Sequence, residues 1–508
     1  MFTFYNPFSI RLISENQRTI NISQLKYFIN MSKSILKTIF VIFTLLVTTS
    51  CDDLLNLSPR TALNSEVAFD TPERILGLVN GMYKSLKSSD FYGQKYPLLM
   101  DVRGEEFENV TANPITGYVS WKNTTTSGDM DVNNLWTAVY ATINNTNILI
   151  DGLEKSTGII SDSLKNNYVA EARFVRALCY FSLVTIYARP YNEDNGASKA
   201  LPLRLNAETS SANNNMERST TTEVYGQILA DLDVAEQHLP QAYSTPLLNT
   251  TRAHRNTAIA LKTRVYLTMR NYEKVKTETQ KIVGQTLAPF SATSGVKHQL
   301  SNIISVFSSD YTTTESVFSM PMTASDSYAG QAALGYVLNA NSEYYLNPNG
   351  ILGEPTWRSD DSRRQFLRSD NGKFYLKKYA KATPYTDFVP VIRYAEVLLN
   401  YAEAAARTND LALATELLKA VRTRSDAGYE FANNQISPKE NLINSILIER
   451  RIELLGEGFR SNDLLRTLQA IPAKGSSSMQ VNAVQPTDEN YTYPYPSKEI
   501  NSNKWLMK

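Results

Sequence analysis

The residues able to do covalent or metal chemistry are few in this chain, and their spacing argues against most of it. There are 3 His and 2 Cys in 508 residues. His238, His254 and His298 stand apart, with no His-Glu-x-x-His run and no Cys pair, so no local motif assembles a metal site. Gly456-Glu457-Gly458 lacks the third glycine of a dinucleotide fingerprint and follows a helical pattern rather than a strand. Phosphate loops and nucleophile-elbow serines are absent as well. A glycosidase needs only two carboxylates at the right separation and carries no universal local motif, but nothing here singles out such a pair. The charged run Glu449-Arg450-Arg451 with Glu453, and Arg393 with Glu396, has helical spacing that makes Arg450 a neighbour of Glu453 and Arg393 a neighbour of Glu396. These read as structural ion pairs tying the C-terminal helices together. No catalytic residue, metal or cofactor is expected.

The chemistry that remains is stacking. The chain holds 29 Tyr and 4 Trp. An exposed aromatic face covers the apolar face of a sugar ring while neighbouring Asn, Asp and Arg bond its hydroxyls. Six aromatics fall in stretches without helical period and are the candidate ligand contacts: Tyr118, Trp121, Tyr311, Tyr344, Tyr345 and Trp357, with Trp121 and Trp357 foremost. Formal net charge is only +1 and no Lys/Arg run is long enough to track a phosphate backbone, so nucleic acid is not an expected partner.

These aromatics need a scaffold, and apolar periodicity supplies one. In Pro390 to Leu468, Tyr394, Val397, Leu398, Tyr401, Ala402 and Ala405 share a helical face. Asn409-Asp410 interrupts the run, and Leu411, Ala414, Leu417, Leu418 and Val421 restart it, which predicts an αα-hairpin. Comparable pairs appear over 132–189, where Cys179 and Trp136 read as core, and over RNTAIALKTRVYLTMRNYEKVKTETQKIV. A first helix is expected near Thr71-Pro72, where Thr caps and Pro occupies the first turn. The fold class expected is mainly α, with tetratricopeptide-like hairpins carrying a loop-rich ligand-binding region. The expected organisation is helical repeats over 65–285 with a loop inserted at 91–126, a loop-rich region over 286–389, and a C-terminal helical region over 390–508. The two irregular stretches are the expected working surface, because ordering so many residues without a use is costly.

The beginning of the chain has its own pattern. MSKSILKTIFVIFTLLVTTS, residues 31–50, places two lysines before an apolar run from Ile35 to Val47, too short for a comfortable bilayer span but right for a signal-peptide core. Cys51 ends it. The segment resembles a bacterial lipoprotein signal, in which the peptide is cut before the cysteine and the thiol acylated; Thr48 stands where such signals usually carry Leu. Residues 1–30 read as an over-extended start, and 51–64 as a tether. Several acyl chains at Cys51 would hold the protein firmly to a membrane.

Four segments carry a resemblance to the SusD/RagB family of nutrient-binding lipoproteins: Cys51 with DDLLNLSP, AEARFVRALCYFSLVTIYARP, RYAEVLLNYAEAAA, and ERRIELLGEGFRSNDLLR with the closing YPYPSKEINSN. The resemblance covers essentially the whole chain after Cys51. It implies a non-catalytic, lipid-anchored protein of the outer-membrane surface. Such a protein binds oligosaccharides, or in some branches peptides, and serves a SusC-like TonB-dependent transporter as partner. The family does not fix its binding aromatics, so no ligand residue is carried over.

Overall fold

The structure, a computed structural model, describes residues 67–308 and 311–508; the signal segment, Cys51 and the tether lie outside the described residues. Helix α1 (Pro72–Leu86) starts as its sequence dictates, with the Thr71 side chain accepting from the Arg74 amide and Pro in the first turn, and buries Ile75, Val79, Met82 and Leu86. The stretch expected to be a loop is structured instead. It forms α2 (Lys95–Val102), β1 (Phe107–Asn109) and α3 (Tyr118–Trp121), and residues 91–109 are buried throughout. Every side of α2 is covered, so its sequence KYPLLMDV shows no contrast between faces and hence no period.

The long helices α4 (Met130–Lys155) and α5 (Asp162–Tyr187) form the first hairpin. Helix α6 (Thr221–His238), closed by a reciprocal Thr220/Glu223 capping box, packs on α5. Helix α7 (Arg255–Thr268) and α8 (Tyr272–Gln280) form a second hairpin, turning at Arg270 with φ 54°. Strand β2 (Ser316–Met320) then opens the irregular region, which contains β3 (Tyr344–Leu346), β4 (Leu367–Asp370) and β5 (Lys373–Leu376). It closes with β6 (Val389–Arg393), which pairs back on β2 and so ties the two ends of the region together. Helix α9 (Tyr394–Arg407) and α10 (Leu411–Ser425) form a third hairpin with Asp410 capping Leu413, and α11 (Lys439–Glu453) packs on both. Helix α12 (Arg460–Arg466), the ribbon β7 (Lys474–Ser476) and β8 (Met479–Val481), and α13 (Ser497–Ser502) complete residues 68–508 as one unit. The fold is mainly α, as expected.

The expected ion pairs are structural, but their partners differ. Arg393 ends a strand rather than occupying a helix, so helical spacing does not bring it to Glu396. Its guanidinium donates to Glu457 at 2.7 and 2.8 Å, to Glu453 at 2.7 Å and to Glu315. Glu396 instead receives Arg264 of α7 at 2.6 Å from two nitrogens. Arg450 turns from Glu453 to Asp463 and Asn400. Glu453 is claimed by Arg424 at 2.6 Å and Arg363 at 2.8 Å as well as by Arg393. Arg393, Glu315, Glu453 and Glu457 are each at most 2% exposed. Burial alone would raise the Glu453 carboxyl, but Arg424, Arg393 and Arg363 outweigh it and hold the group well below the usual carboxylate range. Two of the histidines that stand apart in sequence also meet: His254 and His298 stack with ring centroids 5.2 Å apart, and His298 Nδ1 donates to the Thr314 carbonyl.

Two outcomes are expected. Arg393→Ala leaves three buried carboxylates short of a partner and should cost about 3–5 kcal/mol in chemical denaturation, whereas removing the exposed Lys155 partner of Asp151 should change nothing measurable. Stability should also fall with acid in two windows. Burial pushes His298 from 6.5 down to about 4, so the unfolded chain binds the extra proton first, and stability drops as pH falls from 6.5 towards 4. Burial opposes but Arg450 and Arg466 prevail at Asp463, lowering it from 3.8 to about 2, so its contribution is lost only as pH falls below about 4 towards 2. Denaturation midpoints at pH 7, 5 and 3 check both windows; His298→Gln should shrink the first without abolishing it, because burial also pushes the neighbouring His254 well below 6.5.

Candidate functional site

Four sets of contacts tie the two irregular stretches to each other and to α1 and α4. Lys95, on the first turn of α2, donates to Asp131 Oδ1 at 2.9 Å and to the Ile115 carbonyl. That anchors the 113–117 loop to the N-terminal turn of α4, where Ser120 also donates to Asp131 Oδ2 at 2.8 Å. Gly117, at φ +92°, lets this loop pass Leu99, whose Cδ2 would lie 2.9 Å from any Cβ there. Gln94 Nε2 donates to the Gln331 carbonyl at 2.7 Å and holds the 329–332 turn against α2. Asp326 receives Lys84 at 2.5 Å and also Lys87, while Tyr328 donates to the Lys87 carbonyl at 3.0 Å. Glu343, fully buried just before β3, accepts from Asn341 at 2.8 Å and from Thr111 and Thr116, fixing the far side of the 111–116 loop.

These contacts enclose a cavity of about 460 Å³. Its base is the Lys95–Asp131 pair, already mutually satisfied. Its reactive lining is different: the side chains of Asp90, Asn134 and Gln331 face it partly exposed and have no hydrogen-bond partner among the described residues. Ile115 and Met130, 45% and 52% exposed, give it an aliphatic edge. A set of uncommitted amides and a carboxylate beside apolar surface can bind a polar organic ligand. A larger cavity of about 540 Å³ lies further along α4, but most of its polar groups are bonded to one another.

The six aromatics predicted from sequence are not this lining. Trp121 is fully buried, with Nε1 donating to the Phe107 carbonyl at 2.7 Å and its ring stacked on Tyr118. Tyr344, also fully buried, donates to the Thr116 carbonyl at 3.0 Å. Tyr311 is buried against Phe388 and bonds Asp387 at 2.5 Å. Trp357 is buried beneath the Arg364 guanidinium, 4.0 Å from its ring. These four therefore present no open face for a sugar, because the segments that carry them supply core. Tyr118 and Tyr345 stay half-buried, Tyr345 beside Tyr375 and under Lys373. Of the six, Tyr118 and Trp121 stack on each other, and Tyr344 bonds the Thr116 carbonyl of the loop whose Ile115 lines the cavity. Asp90, Asn134 and Gln331 carry no motif, and the signal that could have found Asn134 is its place on the solvent face of α4.

With this geometry in place, known proteins can be set beside the chain. A family model described as "SusD family" matches residues 186–508, and one described as "Starch-binding associating with outer membrane" matches 53–267. The chain belongs to the SusD family. It is 25% identical to SusD-like protein P2 of Formosa agariphila, over 93% of this chain and 98% of that one. Among solved structures, a SusD superfamily protein from Bacteroides fragilis is 30% identical, with TM-score 0.79 over 87% of this chain and all of its own. One from Bacteroides thetaiotaomicron is 25% identical, with TM-score 0.74 over 86% and 99%. SusD membership makes a binding protein associated with the outer membrane the frame for the cavity; among the described residues no helix is long and apolar enough to cross a membrane.

The burial of Trp121 sets an expectation. Trp121→Ala should lower unfolding free energy by about 3–5 kcal/mol, seen as a reduced denaturation midpoint, because the loss is one of core packing and of an anchor for the cavity wall.

Proposed function

We propose that this SusD-family protein is a non-catalytic capture protein of the outer-membrane surface, anchored through acylated Cys51, that holds a neutral oligosaccharide in the 460 Å³ cavity and passes it to a SusC-like TonB-dependent transporter. One observation carries the reading: Asp90, Asn134 and Gln331 converge, uncommitted, on a cavity walled by the loops that the scaffold holds in place. Hydroxyl groups of a sugar pair well with such a lining, and the matching family description names starch.

A second reading is a peptide ligand of the same cavity. It is favoured by the absence of any aromatic ring in the lining, by the aliphatic surface of Ile115, Met130 and Leu135, and by the suitability of Asn134 and Gln331 for backbone amides.

Calorimetry against a panel of plant, algal and host glycans and a peptide pool separates the two. A glycan should bind with Kd weakened at least about tenfold, a loss of 1.4 kcal/mol, in Asn134→Ala/Gln331→Ala while the melting temperature holds. Prolonged incubation should release no new reducing ends. Binding of peptides alone, or unchanged glycan binding in the double variant, counts against the first reading.

A further inference from the structure

Helix α4 is unusual for a helix with a solvent face. Such a face normally carries charge. Here no charged residue occurs between Asp131 and Asp151. The side chains that reach solvent along one stripe, at spacings of four and three, are Met130, Asn134, Thr137, Ala141 and Asn144: amide, hydroxyl and small apolar groups only. Met130 and Asn134 line the 460 Å³ cavity, and Thr137, Ala141 and Asn144 line the one of 540 Å³. The two cavities are therefore successive sections of one exposed helix face, which runs about 21 Å from Met130 to Asn144 at about 1.5 Å per residue.

The larger cavity is built rather than accidental. Its far wall is the 204–214 segment, held to α4 by Asn144, whose side chain both donates to the Glu208 carbonyl at 2.8 Å and accepts from the Glu208 amide at 2.8 Å. Arg204 bonds the Glu208 carboxylate at 2.9 Å and stands 3.5 Å from Glu499 of α13. Glu499 in turn receives Trp136 Nε1 at 3.3 Å. Arg204 thus faces two carboxylates, and Lys498 at the mouth brings the four charges to balance. The Trp136 and Tyr140 rings pack 4.7 Å apart beneath the cavity, Trp136 being buried and Tyr140 half-buried. At the mouth, Lys498 makes no ion pair and the side chains of Ser211 and Asn214 make no hydrogen bond among the described residues. The result is an open, hydroxyl- and amide-rimmed hollow with balanced charge and an aromatic base, one helical turn along α4 from the site already described.

We propose that this hollow is a second saccharide subsite, so that the protein recognises a neutral chain long enough to lie along α4 and occupy both cavities at once, and not a mono- or disaccharide. This rests on the glycan reading of the first cavity. A charged polymer would gain little, since the stripe offers no counter-charge. A neutral chain needs neither of the two charges beside the stripe that are unpaired among the described residues, Asp90 in the first cavity and Lys498 at the mouth of the second, as a partner.

The experiment is a length ladder on the full mature protein: maltose to maltohexaose, cellobiose to cellohexaose and xylobiose to xylohexaose, titrated calorimetrically against wild type, Ala141→Trp and Ser211→Trp. Both substitutions fill the second cavity from exposed positions, and unchanged melting temperatures will confirm intact folds. Wild type should bind one ladder with stoichiometry one and with affinity rising about tenfold or more, 1.4 kcal/mol, from disaccharide to hexasaccharide. Both Trp variants should lose that rise and keep the disaccharide affinity. A rise that persists in the variants, or two equivalents of disaccharide bound to wild type, overturns the extended subsite while leaving the first cavity standing as a glycan site. Absence of binding to every ladder overturns both.

Discussion

The structure depends on a group of buried guanidinium and carboxylate groups that must all be in place together. Arg393 meets Glu315, Glu453 and Glu457; Arg424 bridges Glu315 and Glu453; Arg363 joins Glu449 and Glu453 to Asp361; and Lys378 caps Glu457 at 2.7 Å. Taking each ion out of water costs several kcal/mol, and mutual attraction offsets this only where nearly every oxygen and N–H finds a partner. The members come from the residue before β2, from the irregular stretch 361–378, from the end of β6, and from α10, α11 and the turn after it. Hydrophobic burial could hold such segments together but could not select one alignment among many. A network that tolerates no missing partner does so.

Its effect reaches the cavity through covalent and hydrogen-bonded continuity. Glu315 fixes the start of β2, and β2 pairs with β6, whose last residue is Arg393. From the other end of β2 the chain runs into the 322–334 segment, which Asp326 ties to Lys84 and Lys87 and which the Gln331 carbonyl ties to Gln94. On the opposite wall, Glu343 and the Lys95–Asp131 pair fix the 111–117 loop. The irregular segments are thus irregular in backbone only. Many of their side-chain groups are committed to that framework, whereas Asp90 and Gln331, with Asn134 of α4, face the cavity without partners among the described residues.

The helices were legible because each half-buried one advertises two faces. The α9 and α10 hairpin, the Asn409-Asp410 turn and the Thr71-Pro72 cap all follow from that contrast. Helix α2 was illegible for the opposite reason, since burial on all sides removes the contrast and Pro97 mimics a turn. The ion partners were illegible because helical spacing governs only neighbours on one helix, and Arg393 belongs to a strand. Trp121 and Trp357 misled because residue type says what a side chain can contact and not which side of the surface it lies on. Nor do three isolated polar residues from three segments form a pattern along the chain. Only the fold makes them neighbours.

The chemistry of the cavity bears on how tightly it can hold anything. A neutral hydrogen bond contributes about 0.5–1.5 kcal/mol net and one to a carboxylate about 1.5–3, so two amides, Asp90 and a narrow aliphatic edge provide only a few kcal/mol before the cost of ordering the ligand. That corresponds to affinities near the millimolar scale, about −4 kcal/mol. For a protein proposed to hand its ligand onward, weak local contacts are an advantage, because affinity differences reside mostly in the dissociation rate. Retention must then come from the number of contacts made along a chain and not from the strength of any one. An uncharged helix face beside the cavity meets that requirement, since each added sugar can exchange water for amide and hydroxyl partners without stripping solvent from an ion. A deep aromatic trap of the kind the sequence advertised would have bound more tightly and released more slowly. On the proposed reading, burying those rings in the core and leaving amides at the surface would place selectivity in length and geometry and keep release fast.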